Sequence, residues 1–221
     1  MVLEIKSIKL IRNRQLLLNK FNLKLRKSQI IILVGDNGSG KSSLMDTILG
    51  LIKPEEGFIK IMNKNIEDCS DKIRNHVLYI PHENCLKENL TIIENLRIWL
   101  NLIDKKISNY NLNDKLKYFD LYDFKDFPIR NLSHGQKRKV ILSKLLLSDS
   151  SIWILDEPMN GLDIDSIKKL SRLIENFSES GGAILLSSHI NYKIKKANKI
   201  HLKKRKINTI RTQKFITWSE L

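Results

Sequence analysis

Eight consecutive residues, Gly35-Asp36-Asn37-Gly38-Ser39-Gly40-Lys41-Ser42, fit the pattern GxxxxGK[ST] at every position. Each position has a chemical reason. Glycines let backbone N–H groups turn inward around phosphate oxygens that side chains would otherwise block. A helix that starts where the loop ends aims its positive dipole end at the same oxygens. Lys41 is placed to reach β- and γ-phosphates, and Ser42 to offer its oxygen to Mg²⁺. A second group, Asp156-Glu157, follows the apolar run Ser151-Ile152-Trp153-Ile154-Leu155. A buried strand ending there delivers both carboxylates to its carboxyl end, where ligands of open α/β sheets bind. Asp156 is expected to hold Mg²⁺, and Glu157 to polarise an attacking water as general base. An acidic pair after a strand is weak evidence alone, because it can be a solvated loop; beside a phosphate loop it gains force.

These groups act together only if strands and helices bring them together. Leu3-Glu4-Ile5-Lys6 and Phe21-Asn22-Leu23-Lys24-Leu25 alternate apolar and polar, as half-buried antiparallel strands do. Ile30 to Val34 is continuous and apolar, the mark of a strand buried on both faces, and Gly35 opens the turn after it. Helical spacing runs from Ser42 to Leu51 and stops near Lys53-Pro54; Gly57 to Ile61 reads as another strand. Residues 86–150 read as a mostly helical insertion, with apolar positions at Ile92-Ile93, Leu96 and Trp99-Leu100, then at Leu112, Leu116 and Phe119. Ile164 to Phe177 is an amphipathic helix. Gly181-Gly182 breaks it, and Ala183 to Leu186 is a third buried strand, running into Ser187-Ser188-His189. Strands alternating with helices predict an α/β fold with a mostly parallel sheet. A small antiparallel N-terminal sheet and a helical subdomain complete one domain over residues 1–221.

Composition bounds the possible functions. The 221 residues suffice for one domain with a subdomain, and 42% hydrophobic with 29% charged residues describes a folded chain. No stretch approaches the ~18–20 consecutive apolar residues of a membrane-spanning helix, so a transport function must borrow its membrane path from another chain. Cys69 and Cys85 are the two cysteines; they lack zinc-ligand spacing and read as reduced thiols. The net charge of +15 suggests an acidic partner, such as nucleic acid, anionic lipid or a phosphorylated ligand. The basic residues are spread along a chain rich in Lys, Ile and Asn, so a compositional bias explains the charge equally simply. The N-terminal segment lacks the marks of a signal or transit peptide.

A third motif brings a family into view. Leu132-Ser133-His134-Gly135-Gln136 resembles the LSGGQ signature of ABC ATPases, with His134 at its third position. It precedes the helical run Lys137 to Leu147, so Ser133 and Gly135 stand near a helix N-terminus suited to an anion; an ordinary N-cap by Ser133 is the plainer account. Asn160-Gly161-Leu162-Asp163 resembles the D-loop of that family, and His189 its switch histidine at the γ-phosphate.

The stretches Leu132 to Val140, Ser151 to Pro158 and Tyr79 to Lys87, with Leu90-Thr91 and Glu94 to Arg97, resemble the ATPase subunit of the cytochrome c maturation haem exporter, the CcmA family. The likeness covers nearly the whole chain. It implies binding and hydrolysis of Mg-ATP between two copies of the chain arranged head to tail. Gly35 to Ser43 would hold the nucleotide, with Ser133, Gly135, Gln136 and Asp163 completing the site across the interface. Glu157 and His189 would be catalytic, and Ser42, Asp156 and Glu83 would ligate the metal. It further implies integral membrane partners of the haem exporter permease type and a peripheral place on the inner face of an energy-transducing membrane. A mitochondrial inner membrane is the expectation there, with a bacterial membrane as the alternative. No specific nucleic acid is implied. The rivals are another small-molecule or metal ABC transporter ATPase, and a soluble ABC ATPase acting on nucleic acid or ribosomes. Two departures stand out. The family's Q-loop glutamine falls on Glu83, and the aromatic that stacks on adenine in many ABC ATPases is expected near Leu17 or Leu18.

Overall fold

The computed structural model describes residues 1–68, 76–105, 108–189 and 194–203, so Cys69 lies outside the described residues. The N-terminal strands β1 (Leu3–Arg12) and β2 (Gln15–Leu25) pair antiparallel. After β3 (Ile30–Val34) and α1 (Lys41–Ile48), the chain returns to the same sheet with β4 (Glu56–Ile61) and β5 (Lys64–Asn65), giving the order β2-β1-β4-β5. A second sheet is parallel throughout. It takes β6 (Val77–Ile80), β7 (Ile152–Leu155), β8 (Ala183–Ser188) and β9 (Ala197–His201) around β3, in the order β6-β7-β8-β3-β9. Between β6 and β7 lie α2 (Ile92–Leu102), α3 (Asn109–Tyr118) and α4 (His134–Leu147), and α5 (Ile164–Glu179) joins β7 to β8.

The unbroken apolar runs have a packing reason. Ile30, Ile32, Trp153, Leu155, Ile184 and Leu186 enter one core with Leu96 of α2, Leu142 of α4 and Leu170 of α5. Their neighbours Ile31, Leu33, Ile152, Ile154, Ala183 and Leu185 enter another with Leu44, Met45 and Ile48 of α1 and the antiparallel sheet. Successive strand residues point to opposite faces, so a sheet covered on both faces has no polar side. Each such Leu or Ile contributes roughly 1.5–3 kcal/mol by burial, which makes these strands the rigid frame of the molecule.

The helices α2 to α5 start where polar side chains bond their first N–H groups. Thr91 and Glu94 form a capping box on α2, and Ser133 and Gln136 form one on α4. Three elements differ from the sequence pattern. α1 stops at Ile48, short of Leu51, because the chain turns through Gly50 at φ 75° and Leu51 N bonds back to Asp46 O. β6 has only four residues, too few for a periodic signal, and β9 is an edge strand whose Asn198, Lys199 and His201 are exposed.

Candidate active site

Register assembles the site. Within the parallel sheet Ile32 and Leu155 both pair with Leu186, and Val34 pairs with Ser188. Three strands therefore end together, and Gly35, Asp156-Glu157 and His189 emerge along one edge of the sheet. A cleft of about 360 Å³ opens there. Asn37, Gly38 and Gly40 to Ser43 contribute to it from the loop and the first turn of α1; His82, Glu157, Asn160 and His189 contribute from the strand ends.

The phosphate loop is built to leave donors unspent. Gly40 takes φ 97°, which is open to glycine and strained for other residues, and α1 starts from it without any side-chain cap. The first N–H groups of α1 thus have no intrahelical partner and face the cleft end of the helix. Lys41 is buried. Its Nζ donates to Gly35 O at 2.7 Å and to Asp36 O at 3.3 Å, and it stands 3.5 Å from Glu157 Oε1. Ser39 Oγ is buried and has no hydrogen-bond partner among the described residues. From the antiparallel sheet, Arg12 Nη1 donates to Ser43 Oγ at 3.0 Å. Leu17 packs over Gly40, where an added Cβ would lie 3.3 Å from its own, and Leu18 is buried in the core. Both leucines are spent on packing.

At the strand ends, Asp156 is buried and its Oδ1 accepts a hydrogen bond from Ser187 Oγ. The same hydroxyl oxygen accepts from Glu157 N at 2.9 Å. Glu157 has φ 47°, in the left-handed region. Its Oε2 lies 2.7 Å from His189 Nδ1 and accepts from His189 N at 3.3 Å. One carboxylate oxygen thus faces an imidazole and the other an ammonium, an arrangement suited to holding a general base in a fixed orientation. Tyr79, on β6, has its phenol pushed up by burial and by the nearby charges of Asp156 and Asp46.

The signature residues stand elsewhere. Ser133 Oγ accepts from Gln136 N at 3.2 Å, and Gln136 Oε1 accepts from Ser133 N at 2.8 Å, so both cap α4. Gly135 lies against Gly161, with the site of a Cβ only 2.9 Å from Gly161 O, and a Cβ on Gly161 would meet His134 Nδ1 at 2.6 Å. Asp163 caps α5 by accepting from Ser166 N at 2.7 Å and pairs with Lys139 at 2.9 Å. The Lys139 hydrogen bond and the Ser166 N–H hold its carboxyl well below the usual carboxylate range. Ser133, Gly135, Gln136 and Asp163 do not line the cleft of their own chain.

Glu83 is not brought to the cleft either. It is exposed, while its neighbour His82 lines the cleft. The chain bends at His82 and Glu83, so only one of the two neighbouring side chains reaches the cleft. Sequence patterns also passed over Ser187, which bridges the acidic pair, and Arg138, which is buried beneath it. A signal for Arg138 existed: it precedes Leu142 and Leu145 by four and seven residues, on the apolar face of α4.

The donor set fits the ligands expected of it. Uncapped helix N–H groups, a backbone with φ 97° at Gly40 and a buried ammonium suit phosphate oxygens. The Ser42 hydroxyl on the cleft and the Asp156 carboxylate behind it are the hard oxygen donors that Mg²⁺ favours.

Comparison with known proteins gives a consistent result. The ABC transporter family profile matches residues 18–160. The chain is similar to the cytochrome c biogenesis ATP-binding export protein CcmA of Vibrio parahaemolyticus, 31% identical over 188 residues, which are 85% of this chain and 92% of that protein. The CcmA protein of Dechloromonas aromatica is 34% identical over the same shares of the two chains. Among solved structures, an ABC transporter ATP-binding protein from Pyrococcus furiosus superposes with a TM-score of 0.80 at 24% identity, covering 91% of this chain and 98% of that one.

Proposed function

The chain belongs to the ABC transporter family and within it to the CcmA group, and from that membership we propose that it is the ATP-hydrolysing subunit of a haem exporter in cytochrome c biogenesis. The observation that carries the catalytic part is the Glu157 carboxylate, held between Lys41 at 3.5 Å and His189 at 2.7 Å beside the phosphate loop. Phosphates bind the backbone N–H groups from Gly38 to Ser43 and the Lys41 ammonium. Glu157 orients water for attack at the terminal phosphate and takes its proton, while His189 fixes the orientation of the base. Ser42 and Asp156 would hold Mg²⁺, which would neutralise phosphate charge.

The site is completed by a second copy of the chain. Ser133, Gly135 and Gln136 form a helix N-terminus that its own cleft does not use, and such a terminus favours an anion presented from outside. Residues 1–221 act as one ATPase domain, with the helices between β6 and β7 as its helical subdomain. Among the described residues no helix is long and apolar enough to cross a membrane. The proposed membrane path belongs to permease-type subunits, with this chain peripheral on the ATP-bearing face. The named relatives are bacterial, so the expectation of a mitochondrial membrane has no support from them.

Purification from the native membrane tests this reading. An integral membrane chain should accompany the protein, the complex should hydrolyse ATP, and loss of the chain should abolish haem attachment to c-type cytochromes. Retention on ribosomes or nucleic acid at high salt, without a membrane partner, would overturn it.

A further inference from the structure

Arg138 lies in the second turn of α4 and is 1% exposed. A guanidinium has five N–H donors, and here each meets a backbone carbonyl. Nη2 donates to Asp156 O and Glu157 O, each at 3.0 Å. Nε donates to Pro158 O at 3.3 Å. Nη1 donates to Pro81 O at 2.7 Å and His82 O at 3.3 Å. Burial pushes the guanidinium down to about 10, against the opposing pull of Asp156 and Glu157, so it remains a cation at neutral pH. Burying a charge is costly, and an apolar side chain of similar size often packs such a position at least as stably. The carbonyls it holds are therefore informative. They belong to the two segments that bring His82 and Glu157 to the cleft. Glu157, moreover, keeps a left-handed backbone that persists only where its surroundings hold it.

We propose that Arg138 is a positioning residue for ATP hydrolysis: its guanidinium clamps the left-handed backbone of Glu157 and the Pro81-His82 loop together, so that the base keeps the orientation that His189 and Lys41 read. Arg138 does not line the cleft and its N–H groups are engaged by carbonyls, so it acts through Glu157. The proposal rests on the reading of Glu157 as the base. A lysine cannot replace it, because one ammonium with three donors cannot span five carbonyls.

Arg138→Lys keeps the charge and loses the fork; Arg138→Gln keeps an amide donor pair and serves as the second variant should the first fail to fold. Each is compared with the parent for melting temperature, ATP affinity and kcat per folded molecule, and again in a Glu157→Gln background by single-turnover hydrolysis. The expected result is a fall in kcat of about tenfold or more with ATP affinity within about twofold, and no further loss in the Glu157→Gln background. A lowered melting temperature with undiminished kcat per folded molecule would reduce Arg138 to a stability element. An equal fold-loss in both backgrounds would show that it acts independently of Glu157; either result overturns the proposal while leaving ATP hydrolysis by Glu157 intact. Parent turnover that survives Glu157→Gln unchanged overturns the functional reading and the proposal together.

Discussion

His189 Nδ1 stands 2.7 Å from Glu157 Oε2; the two residues are 32 apart in sequence and follow the ends of two neighbouring parallel strands. The contact follows from register: Leu155 and Leu186 are paired, so the residues after β7 and β8 leave the sheet side by side. Lys41 approaches the other carboxylate oxygen from α1 at 3.5 Å. Three elements thus meet on one side chain, and each contact can be removed singly.

His189→Ala removes the partner that orients Glu157. Steady-state hydrolysis should fall by about a hundredfold, the lower range for a general acid–base group, with ATP affinity little changed. Unaltered turnover would separate the histidine from catalysis.

Glu157→Gln keeps size and hydrogen bonding but removes the base. The variant should bind ATP, turn it over only at a slow residual rate readable in a single turnover, and accumulate as a dimer, because closure precedes hydrolysis. Size-exclusion chromatography with and without Mg-ATP reads this directly. A variant that stays monomeric at high concentration with ATP bound would refute the two-chain site.

Lys41→Ala deletes the buried ammonium bonded to Gly35 O and Asp36 O. Hydrogen bonds to charged groups contribute about 1.5–3 kcal/mol, so ATP affinity should drop by roughly one to two orders of magnitude. The far-ultraviolet spectrum should be unchanged. Parent-level affinity in the variant would argue against the phosphate-loop assignment.

Asp163→Ala removes the cap of α5 and the partner of Lys139. Loss of such a cap costs about 0.5–2 kcal/mol. The Asp163 carboxyl is held below its unfolded value, so its contribution is fully present above the ordinary carboxylate pKa of about 4. It is lost as pH falls through the lower folded value. Denaturant melts should therefore show a constant gap between parent and variant from neutral pH to about pH 5, closing in stronger acid. A gap that widened in acid would contradict the assigned ionisation.

Glu83 is exposed and off the cleft, whereas His82 lines it. Titrating Mg²⁺ against ATPase activity of the isolated chain should give superimposable curves for the parent and Glu83→Gln. A lower Mg²⁺ requirement in the variant would place the carboxylate at the metal after all.

Contiguous chemistry was legible in the sequence, because a phosphate loop needs its residues in one unbroken turn and its spacing survives any fold. The doubly buried strands were legible for a similar reason: a sheet covered on both faces leaves no polar position, so Ile30 to Val34 and Ile152 to Leu155 read as apolar runs. Tertiary structure alone decided which polar side chains those strands gather. Lys137-Arg138-Lys139 reads as a basic run, yet its three cations go to Glu88, to five backbone carbonyls and to Asp163. The carbonyls bonded by Arg138 lie between 18 and 57 residues away, and only the packing of α4 against two strand ends brings them within reach. Strand register likewise sets His189 against Glu157, and the bend after β6 turns His82, rather than Glu83, toward the cleft. Local sequence specifies backbone conformation and burial, while the direction of one side chain toward another is settled by which strands and helices pack together.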